Sequence, residues 1–262
     1  MPDLFTGTTA LITGASRGIG AAFADLFAAR GVNLILVART ESHLHAVAAR
    51  VRRHGIRAEA LQADLADAAA PERLEREVAD KGLTVDHLVN NAGIGVHGRF
   101  FHGDVEHHRR VLQVNMVAPV ELAARFLPAM IARRRGGLLN IGSTAAFQGL
   151  AWLPVYAATK ASLLNWSEGL WASLRGTGVR CCCLCPGPVD TAFFDANDLT
   201  VRPPTFVMQS PDAVARAGLR AYRRDRCVAY SGWAFRLLAW ATRVAPRSLA
   251  ALGGSLYAKP KE

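Results

Sequence analysis

Near its N-terminus the chain reads Thr8-Thr-Ala-Leu-Ile-Thr-Gly-Ala-Ser-Arg-Gly-Ile-Gly20. The apolar run from Thr8 to Thr13 has the length of a buried strand, and the residues after it open a helix expected to reach about Arg30. Glycines at positions 14, 18 and 20 permit a tight turn between strand and helix. They also let an anion approach the free N–H groups at the start of the helix. The stretch therefore predicts a strand-turn-helix unit that binds a phosphate-bearing ligand, and the alternative is a glycine-rich turn without a ligand.

The alternation of apolar, strand-length runs with helical patterns continues along the chain. Strands are predicted at 33–38, 57–62, 85–89, 138–142 and 179–185, and the main helices at 41–54, 105–132 and 155–175. This alternation predicts an α/β fold, a doubly wound (Rossmann-type) parallel sheet with helices on both faces. Because no linker or repeat divides the 262 residues, we expect a single domain with its core at about 8–195.

Arg39 ends the second predicted strand, nineteen residues after Gly20. Dinucleotide-binding folds place here the side chain that meets the ribose 2′ position, an acid for NAD and an arginine for NADP. Arg17, in the glycine-rich turn, adds a second permanent positive charge. The pattern favours NADP(H) over NAD, and the alternative is an ordinary surface arginine that closes a strand.

Two further strand ends carry polar residues. Asp64-Leu65 follows the third strand, where Asp64 either accepts a hydrogen bond from an adenine amino group or caps a helix that starts near Asp67. Asn90-Asn91-Ala92-Gly93 follows the fourth strand, where small residues admit a ligand and amides hold neighbouring loops, and the alternative is a turn alone. The loop at 95–101, with its glycines and two phenylalanines, is expected at the edge of a substrate pocket.

Tyr156 and Lys160 lie four residues apart in the predicted helix at 155–175, and Ser143 follows the fifth strand. Residues i and i+4 share one face of a helix, so the phenol and the ammonium are neighbours. A nearby cation favours the phenolate and lowers the phenol pKa from its usual value of about 10. The pair therefore predicts a group that exchanges protons with a substrate oxygen, and the alternative is a chance pairing on a helix.

Asn115 and Pro119 lie in the long predicted helix at 105–132. Pro119 has no N–H group, so it cannot donate the helical hydrogen bond to the carbonyl of Asn115. A free carbonyl in a buried helix needs a partner, and an ordered water near the catalytic lysine would supply one. The alternative is that Pro119 only kinks the helix.

Together these segments resemble the short-chain dehydrogenase/reductase family over about residues 8–195. The resemblance is carried by Thr13-Gly14-x-x-x-Gly18-Ile19-Gly20, Asn90-Asn91-Ala92-Gly93, Asn115, Ser143, Tyr156-x-x-x-Lys160 and Pro186-Gly187. It implies that Tyr156 protonates a carbonyl oxygen held by Ser143, while Lys160 lowers the Tyr156 pKa and holds the ribose hydroxyls. It also implies that a water bound to Asn115 returns a proton to the site and that Val189 and Thr191 contact the nicotinamide carboxamide.

The resemblance and the local patterns define the site that we expect. The catalytic set is Asn115, Ser143, Tyr156 and Lys160. The cofactor-binding set is Gly14, Ser16, Arg17, Gly18, Ile19, Gly20, Arg39, Asp64, Leu65, Asn91, Ala92, Gly93, Tyr156, Lys160, Pro186, Gly187, Val189 and Thr191. The expected activity is NADPH-dependent reduction of a ketone to a secondary alcohol, with a bulky hydrophobic substrate of the 3-oxoacyl, steroid-like or polyketide type. The alternatives are NADP-dependent oxidation of a secondary alcohol and a cofactor-binding protein that acts through a partner contact.

Composition narrows the remaining classes of function. The formal charge of +10, from 31 Lys and Arg against 21 Asp and Glu, suits anionic ligands, but the basic residues are too dispersed for a nucleic-acid site. Four of the five cysteines fall in the strand at 179–185, where adjacent side chains point to opposite faces, so no metal site is expected. The N-terminus lacks a secretory leader pattern. We expect a cytoplasmic homodimer or homotetramer.

Two segments follow the core: a substrate loop and helix at 192–224, and a helical appendage at 231–257. In the appendage, apolar residues recur at helical spacing with arginines among them: Trp233, Leu237, Trp240 or Ala241, and Val244, with Arg236, Arg243 and Arg247. The arginines and Pro246 interrupt the run, so no membrane-spanning helix is expected. Three interpretations stay open: packing against the core or a subunit, a lid over an apolar pocket, and peripheral membrane contact.

Overall fold

The structure, a computed structural model, describes residues 4–196 and 203–255. Its strands are β1 (Thr9–Thr13), β2 (Asn33–Ala38), β3 (Ala58–Gln62), β4 (His87–Asn90), β5 (Gly137–Ile141), β6 (Arg180–Cys185) and β7 (Val228–Tyr230). They form one sheet in the order β3-β2-β1-β4-β5-β6-β7, and each neighbouring pair is parallel. The predicted doubly wound parallel sheet is confirmed.

Helices cover both faces of this sheet. They are α1 (Gly18–Ala28), α2 (Glu41–Arg52), α3 (Ala70–Asp80), α4 (Val105–Leu112), α5 (Ala118–Ala132), α6 (Pro154–Ser173), α7 (Phe193–Ala196), α8 (Pro211–Arg223), α9 (Trp233–Val244) and α10 (Arg247–Ser255). Alternate residues of β1 supply the two faces: Ile12 packs in one core cluster with Phe23 and Phe27, and Leu11 packs in the other with Leu122 and Phe126. Both faces are apolar, as a sheet covered on both sides requires.

The structure corrects two expectations about element boundaries. The chain after β6 is not only an appendage, because α8 is followed by the seventh strand, which pairs with β6. This strand has three residues, too few for an alternating pattern to reveal. The helix expected near Asp67 begins instead at Ala70, after a turn in which the Asp67 carboxylate accepts a hydrogen bond from the Ala69 N–H.

The helix from Val105 to Ala132 is continuous but widens at Gln113–Val117 into a π-helical turn between α4 and α5. Here the N–H of Ala118 donates to the carbonyl of Gln113, five residues earlier. The deviation precedes Pro119, which cannot make the ordinary helical bond. Pro119 is therefore associated with a π turn and not with a simple kink.

By length and composition the same 28-residue helix would also suffice to cross a membrane, with a mean hydropathy of 1.3 over its most apolar window. In the fold 44% of that window is buried. Leu122, Phe126 and Met130 belong to the core cluster on one face of the sheet. Core packing therefore accounts for part of the apolar surface of this helix, whereas Val105, Leu112, Val117 and Ile131 stay exposed.

The C-terminal segments are helical, as predicted. The helix expected after the substrate loop is α8, and the appendage consists of α9 and α10 separated by Pro246. Parts of the expected substrate loop (197–202) and of the appendage (256–257) lie outside the described residues.

Candidate active site

A cavity of about 700 Å³ lies along the carboxyl ends of the strands. The sheet order explains its shape, because β1, β2 and β3 end on one side of the cavity and β4, β5 and β6 end on the other. The cavity lining includes all of the predicted site residues except Gly20 and Asn115. Those two residues lie behind the wall, where they support it.

The glycine-rich turn forms the middle of this wall. Gly14 has a φ of +64°, and a Cβ there would lie 2.9 Å from Asn91 Nδ2. A Cβ on Gly20 would overlap the carbonyl oxygen of Gly14, so only glycine lets α1 pack this closely on the turn. The first N–H groups of α1 have no helical partner, and its first turn carries no acidic side chain. The geometry of the turn thus suits a phosphate group of a dinucleotide.

Thr13 and Asn91 hold the turn against the end of β4. The hydroxyl of Thr13 accepts hydrogen bonds from the N–H groups of Asn91 and Ala92, both at 3.0 Å. The amide of Asn91 donates back to the carbonyl of Thr13 at 2.9 Å. The predicted loop-holding role of the amide is therefore present in the structure. Thr13 is not in the predicted site, although a hydroxyl at the end of a strand beside a glycine-rich turn was a usable signal.

Arg17, Arg39 and Asp64 lie at the end of the cavity formed by β2 and β3. Both arginine side chains are exposed, as a contact with an anionic ligand requires. One oxygen of the Asp64 carboxylate accepts from the Ala66 N–H at 3.0 Å, and the other lies 3.4 Å from Arg110. Asp64 therefore stabilises its own turn, and the alternative that it caps the following helix is wrong, because α3 begins six residues later.

Ser143, Tyr156 and Lys160 meet at the β5 side of the cavity. Lys160 is buried and donates a hydrogen bond to the carbonyl of Ile141 at 2.8 Å. Its ammonium lies 5.8 Å from the centroid of the Tyr156 ring. Ser143 begins the short 3₁₀ helix Thr144–Phe147, and its hydroxyl accepts from the Ala145 N–H at 3.1 Å. Two hydroxyl groups and one cation thus face the same cavity.

Burial lowers the pKa of Lys160 to about 8, and the nearby sulfur atoms of Cys183 and Cys185 oppose this shift. These two cysteines share one face of β6, with sulfurs 3.9 Å apart, because residues i and i+2 of a strand point the same way. Cys181, Cys182, Cys183 and Cys185 are all buried and free. Within residues 4–196 and 203–255, no group of three or more His, Cys, Asp or Glu is arranged to hold a metal ion.

Asn115 acts from behind the cavity wall. Its side chain accepts from the N–H of Ile94 at 2.9 Å and donates to the carbonyl of the same residue at 2.8 Å. It also donates to the hydroxyl of Thr159, next to Lys160, at 3.2 Å. The amide therefore ties the loop after β4 to α6. Ile94 and Thr159 were missed from the sequence, because contacts between segments 21 and 44 residues apart leave no local pattern.

The opposite end of the cavity is apolar. Its lining residues come from four separate segments: Leu150, Leu153, Phe193, Phe194, Val207, Phe235 and Leu238. Phe235 of α9 packs so closely on Gly187 that a Cβ on this glycine would overlap its ring. The inner face of the appendage thus forms part of the pocket. The loop at 95–101, which was expected at the edge of this pocket, does not line it in the described part of the chain. The lining after β4 stops at Ile94, and the side chains of Phe100 and Phe101 are exposed.

These features fit a dinucleotide whose nicotinamide end lies beside Tyr156. The glycine cradle and the helix N-terminus suit a pyrophosphate, and the two arginines suit an added phosphate near the adenosine. Pro186, Val189 and Thr191 line the same cavity after β6. The lining therefore offers groups that suit each part of such a cofactor, and apolar side chains lie beside the hydroxyl pair.

Comparison with known proteins agrees with this architecture. Residues 8–201 match the family model of the short chain dehydrogenases. The chain is 32% identical to ketoacyl reductase HetN of Nostoc sp., over 83% of this chain and 76% of that protein. It is 34% identical to a solved short-chain dehydrogenase from Sphingobium yanoikuyae in complex with NADPH, with a TM-score of 0.81 and coverage of 90% and 93%.

A third similar protein is the bulky-bulky ketone specific alcohol dehydrogenase from Comamonas testosteroni. The identity is 29% and the TM-score 0.77, with 90% of this chain and 92% of that chain covered. The family model covers most of this chain, and the relatives extend the match beyond it. The chain belongs to the short-chain dehydrogenase/reductase family of oxidoreductases.

Proposed function

We propose that the protein reduces a bulky, apolar ketone to a secondary alcohol with NADPH. The observation that carries this proposal is the meeting of Tyr156, Ser143 and Lys160 in one cavity. That cavity has a glycine-rich phosphate site at its centre and apolar side chains beside the hydroxyl pair. A protein that only sensed a cofactor would not need a proton donor beside an apolar pocket.

Each polar residue has a separate task in this reaction. When bound, the reduced nicotinamide supplies a hydride to the carbonyl carbon. Tyr156 donates a proton to the carbonyl oxygen as negative charge develops there, and the Ser143 hydroxyl donates a hydrogen bond to the same oxygen. The Lys160 ammonium stabilises the phenolate left on Tyr156 and would donate hydrogen bonds to the ribose hydroxyls of a bound cofactor. The product is a secondary alcohol, and the proton comes from the protein.

Asn115 contributes in two ways. Its side chain fixes Ile94 and Thr159, which positions the loop after β4 and the helix that carries Lys160. The adjacent π turn and Pro119 support a backbone carbonyl of Asn115 that is available to a water molecule. Such a water would return a proton towards Lys160 and Tyr156 after each turnover.

The choice of NADPH rests on Arg17 and Arg39. Both are exposed at the end of the cavity where the adenosine ribose would lie, and Arg39 occupies the position that an acid takes in NAD-specific folds. A ribose 2′-phosphate would accept charge-assisted hydrogen bonds from their guanidinium groups. The complex of the similar Sphingobium protein with NADPH supports this choice.

The apolar pocket supports a bulky hydrophobic substrate. Phe193, Phe194 and Leu153 surround the space next to Tyr156, while the ring of Phe193 lies 5.6 Å from the Tyr156 ring. The names of the similar proteins include a ketoacyl reductase and a dehydrogenase specific for bulky ketones. We therefore propose 3-oxoacyl, steroid-like and polyketide ketones as the first substrate classes to test.

A panel of such ketones, with NADPH oxidation followed at fixed enzyme concentration, tests the proposal. We expect turnover of bulky apolar ketones, little turnover of small polar ones, and none with Tyr156→Phe. A panel of secondary alcohols with NADP⁺ measures the reverse reaction on the same site. Tight cofactor binding without turnover in either direction would favour a cofactor-binding protein and overturn the proposal.

A further inference from the structure

The outward face of α9 is apolar, although it points away from the rest of the protein. Its side chains are Trp233, Leu237, Trp240 and Val244, which are 81%, 57%, 63% and 64% exposed. Their spacing of three and four residues places them in one stripe along this twelve-residue helix. The opposite face of α9 packs against the protein, because Ala239 is buried and Phe235 and Leu238 line the cavity. An exposed apolar stripe of this kind marks a contact surface.

Neighbouring segments of the chain also expose apolar side chains. On α10, Leu249 and Leu252 are 61% and 64% exposed and lie three residues apart. Phe206, which is 86% exposed, precedes Gln209 by three residues. The Gln209 side chain donates to the carbonyl of Ser231 at 2.9 Å, which ties this segment to the start of α9. Exposed apolar side chains thus occur on the stripe and on the chain segments attached to both of its ends.

The charge around the stripe is mainly of one sign. Between Asp225 and Ser255 the sequence contains no acidic residue, whereas four basic residues fall in this span: Arg226, Arg236, Arg243 and Arg247. Arg236 and Arg243 are seven residues apart, so they lie on the same flank of the stripe on α9. One carboxylate from another helix, Glu168 of α6, lies 3.5 Å from Arg243. The surface thus combines tryptophans, leucines and arginines, and α9 and α10 carry no carboxylate of their own.

We propose that this face of the appendage docks on an anionic lipid surface. Tryptophan and leucine side chains enter the boundary between head groups and acyl chains, and flanking arginines reach the lipid phosphates. A two-fold contact between two copies through the same stripe would instead bring two basic flanks together, with no acidic group on α9 or α10 to offset them. Charge complementarity therefore selects the anionic lipid. The docking does not depend on the reaction proposed above.

Co-sedimentation of the full chain with vesicles tests the docking directly. We expect binding to vesicles of phosphatidylcholine and phosphatidylglycerol that is roughly tenfold or more tighter than binding to phosphatidylcholine alone. Raising the salt concentration to about 1 M should remove most of the difference, because it shortens the screening length. Protein that stays in the supernatant with the anionic vesicles overturns the proposal, whatever its catalytic activity.

Matched variants locate the binding surface. The double variant Leu237→Gln/Trp240→Gln should weaken vesicle binding roughly tenfold or more, whereas Leu112→Gln, at a leucine of α4 that is 46% exposed, should not. Arg236→Gln should weaken binding to the anionic vesicles, whereas Arg53→Gln, on the exposed end of α2, should have little effect. All of these positions lie outside the cavity lining, so thermal stability and NADPH binding should be unchanged. These two measurements are the control that each variant is folded.

Two results would reject the assignment of this surface. One is vesicle binding by the double variant at the wild-type level. The other is a combination of two observations. Without lipid, sedimentation velocity shows a dimer for the wild type and a monomer for the double variant, and the wild type does not bind anionic vesicles. That result would assign the stripe to a second copy of the chain.

Discussion

The ammonium of Lys160 donates a hydrogen bond to the carbonyl oxygen of Ile141, at a distance of 2.8 Å. Ile141 is the last residue of β5 and Ser143 follows two residues later, while Tyr156 lies one helical turn before Lys160. This hydrogen bond therefore connects α6 to the end of β5, which Ser143 follows. It joins the two segments from which Ser143 and Tyr156 line one cavity.

The burial of Lys160 predicts a specific dependence of stability on pH. Its pKa is about 8 in the fold against 10.5 in the unfolded chain, so between these values the unfolded state binds more protons. The penalty for burying the charge is present below pH 8 and disappears as the lysine loses its proton. The free energy of unfolding of the wild type should rise, relative to Lys160→Met, by on the order of 3 kcal/mol from below pH 8 to above pH 10.5.

Urea unfolding at both pH values measures this difference. Lys81→Met is the control, because Lys81 is a partly exposed lysine that pairs with Glu77 at 3.9 Å on the surface. It should follow the wild-type pH dependence. Parallel curves for the wild type and Lys160→Met would contradict the assigned shift.

Replacement of Tyr156 by phenylalanine should remove the proton donor and little volume. We expect Tyr156→Phe to lose well over tenfold in kcat while its dissociation constant for NADPH changes by less than about threefold. Tyr230→Phe is the matched control, because Tyr230 packs on Phe147 away from the cavity lining and should keep its activity. If Tyr156→Phe retains more than a tenth of the wild-type kcat, Tyr156 is not the general acid.

Gly20 supports the phosphate site by close packing, so Gly20→Ala should displace the turn that carries Gly14. We expect NADPH binding to weaken roughly tenfold or more and the protein to lose about 1 to 3 kcal/mol of stability. A Cβ on Gly169 in α6 would meet no atom within 4 Å, so Gly169→Ala should be neutral or stabilise by about 0.5 to 1 kcal/mol. Calorimetric titration of NADPH into the two variants measures the contrast, and equal affinities would refute the packing argument.

Arg39 should set the choice of cofactor. Charge-assisted hydrogen bonds from Arg39 and Arg17 contribute on the order of 1.5 to 3 kcal/mol each, less screening and non-additivity. We expect a preference for NADPH over NADH of roughly tenfold to a thousandfold at low salt, and a reversal in Arg39→Asp. Dissociation constants of both cofactors at two salt concentrations test this, with Arg53→Asp as a surface control. A wild type without preference would leave Arg39 as an ordinary surface arginine.

Loss of the Asn115 side chain should release the loop that contains Ile94. Asn115→Ala leaves the N–H and carbonyl of Ile94 without their partner, which should cost about 2 to 3 kcal/mol in stability. Asn33→Ala removes one exposed hydrogen bond, from the Arg57 N–H, and should cost about 1 kcal/mol or less. Chemical unfolding measures both values, and similar losses would show that Asn115 does not clamp the loop.

Local patterns in the sequence determined the sheet, the glycine-rich turn and the Tyr156–Lys160 pair. Each is encoded within a few residues: an apolar run has strand length, glycines permit one turn, and i and i+4 share a helix face. The order of these signals, with the family resemblance that they carry, was sufficient for the fold and for most residues that line the cavity. Of the predicted site residues, only Gly20 and Asn115 lie behind the wall.

Tertiary structure alone decided the contacts that join distant segments. Asn115 reaches Ile94, Phe235 packs on Gly187, and β7 completes the sheet with three residues that show no periodic signal. Tertiary structure also decided that α9 buries one apolar face and exposes the other. The helical spacing of the apolar residues alone is the same for an exposed face and for a face packed in the core. The physical reason is that helical spacing identifies the residues on one face of a helix, but only the packing of the whole chain determines what that face meets.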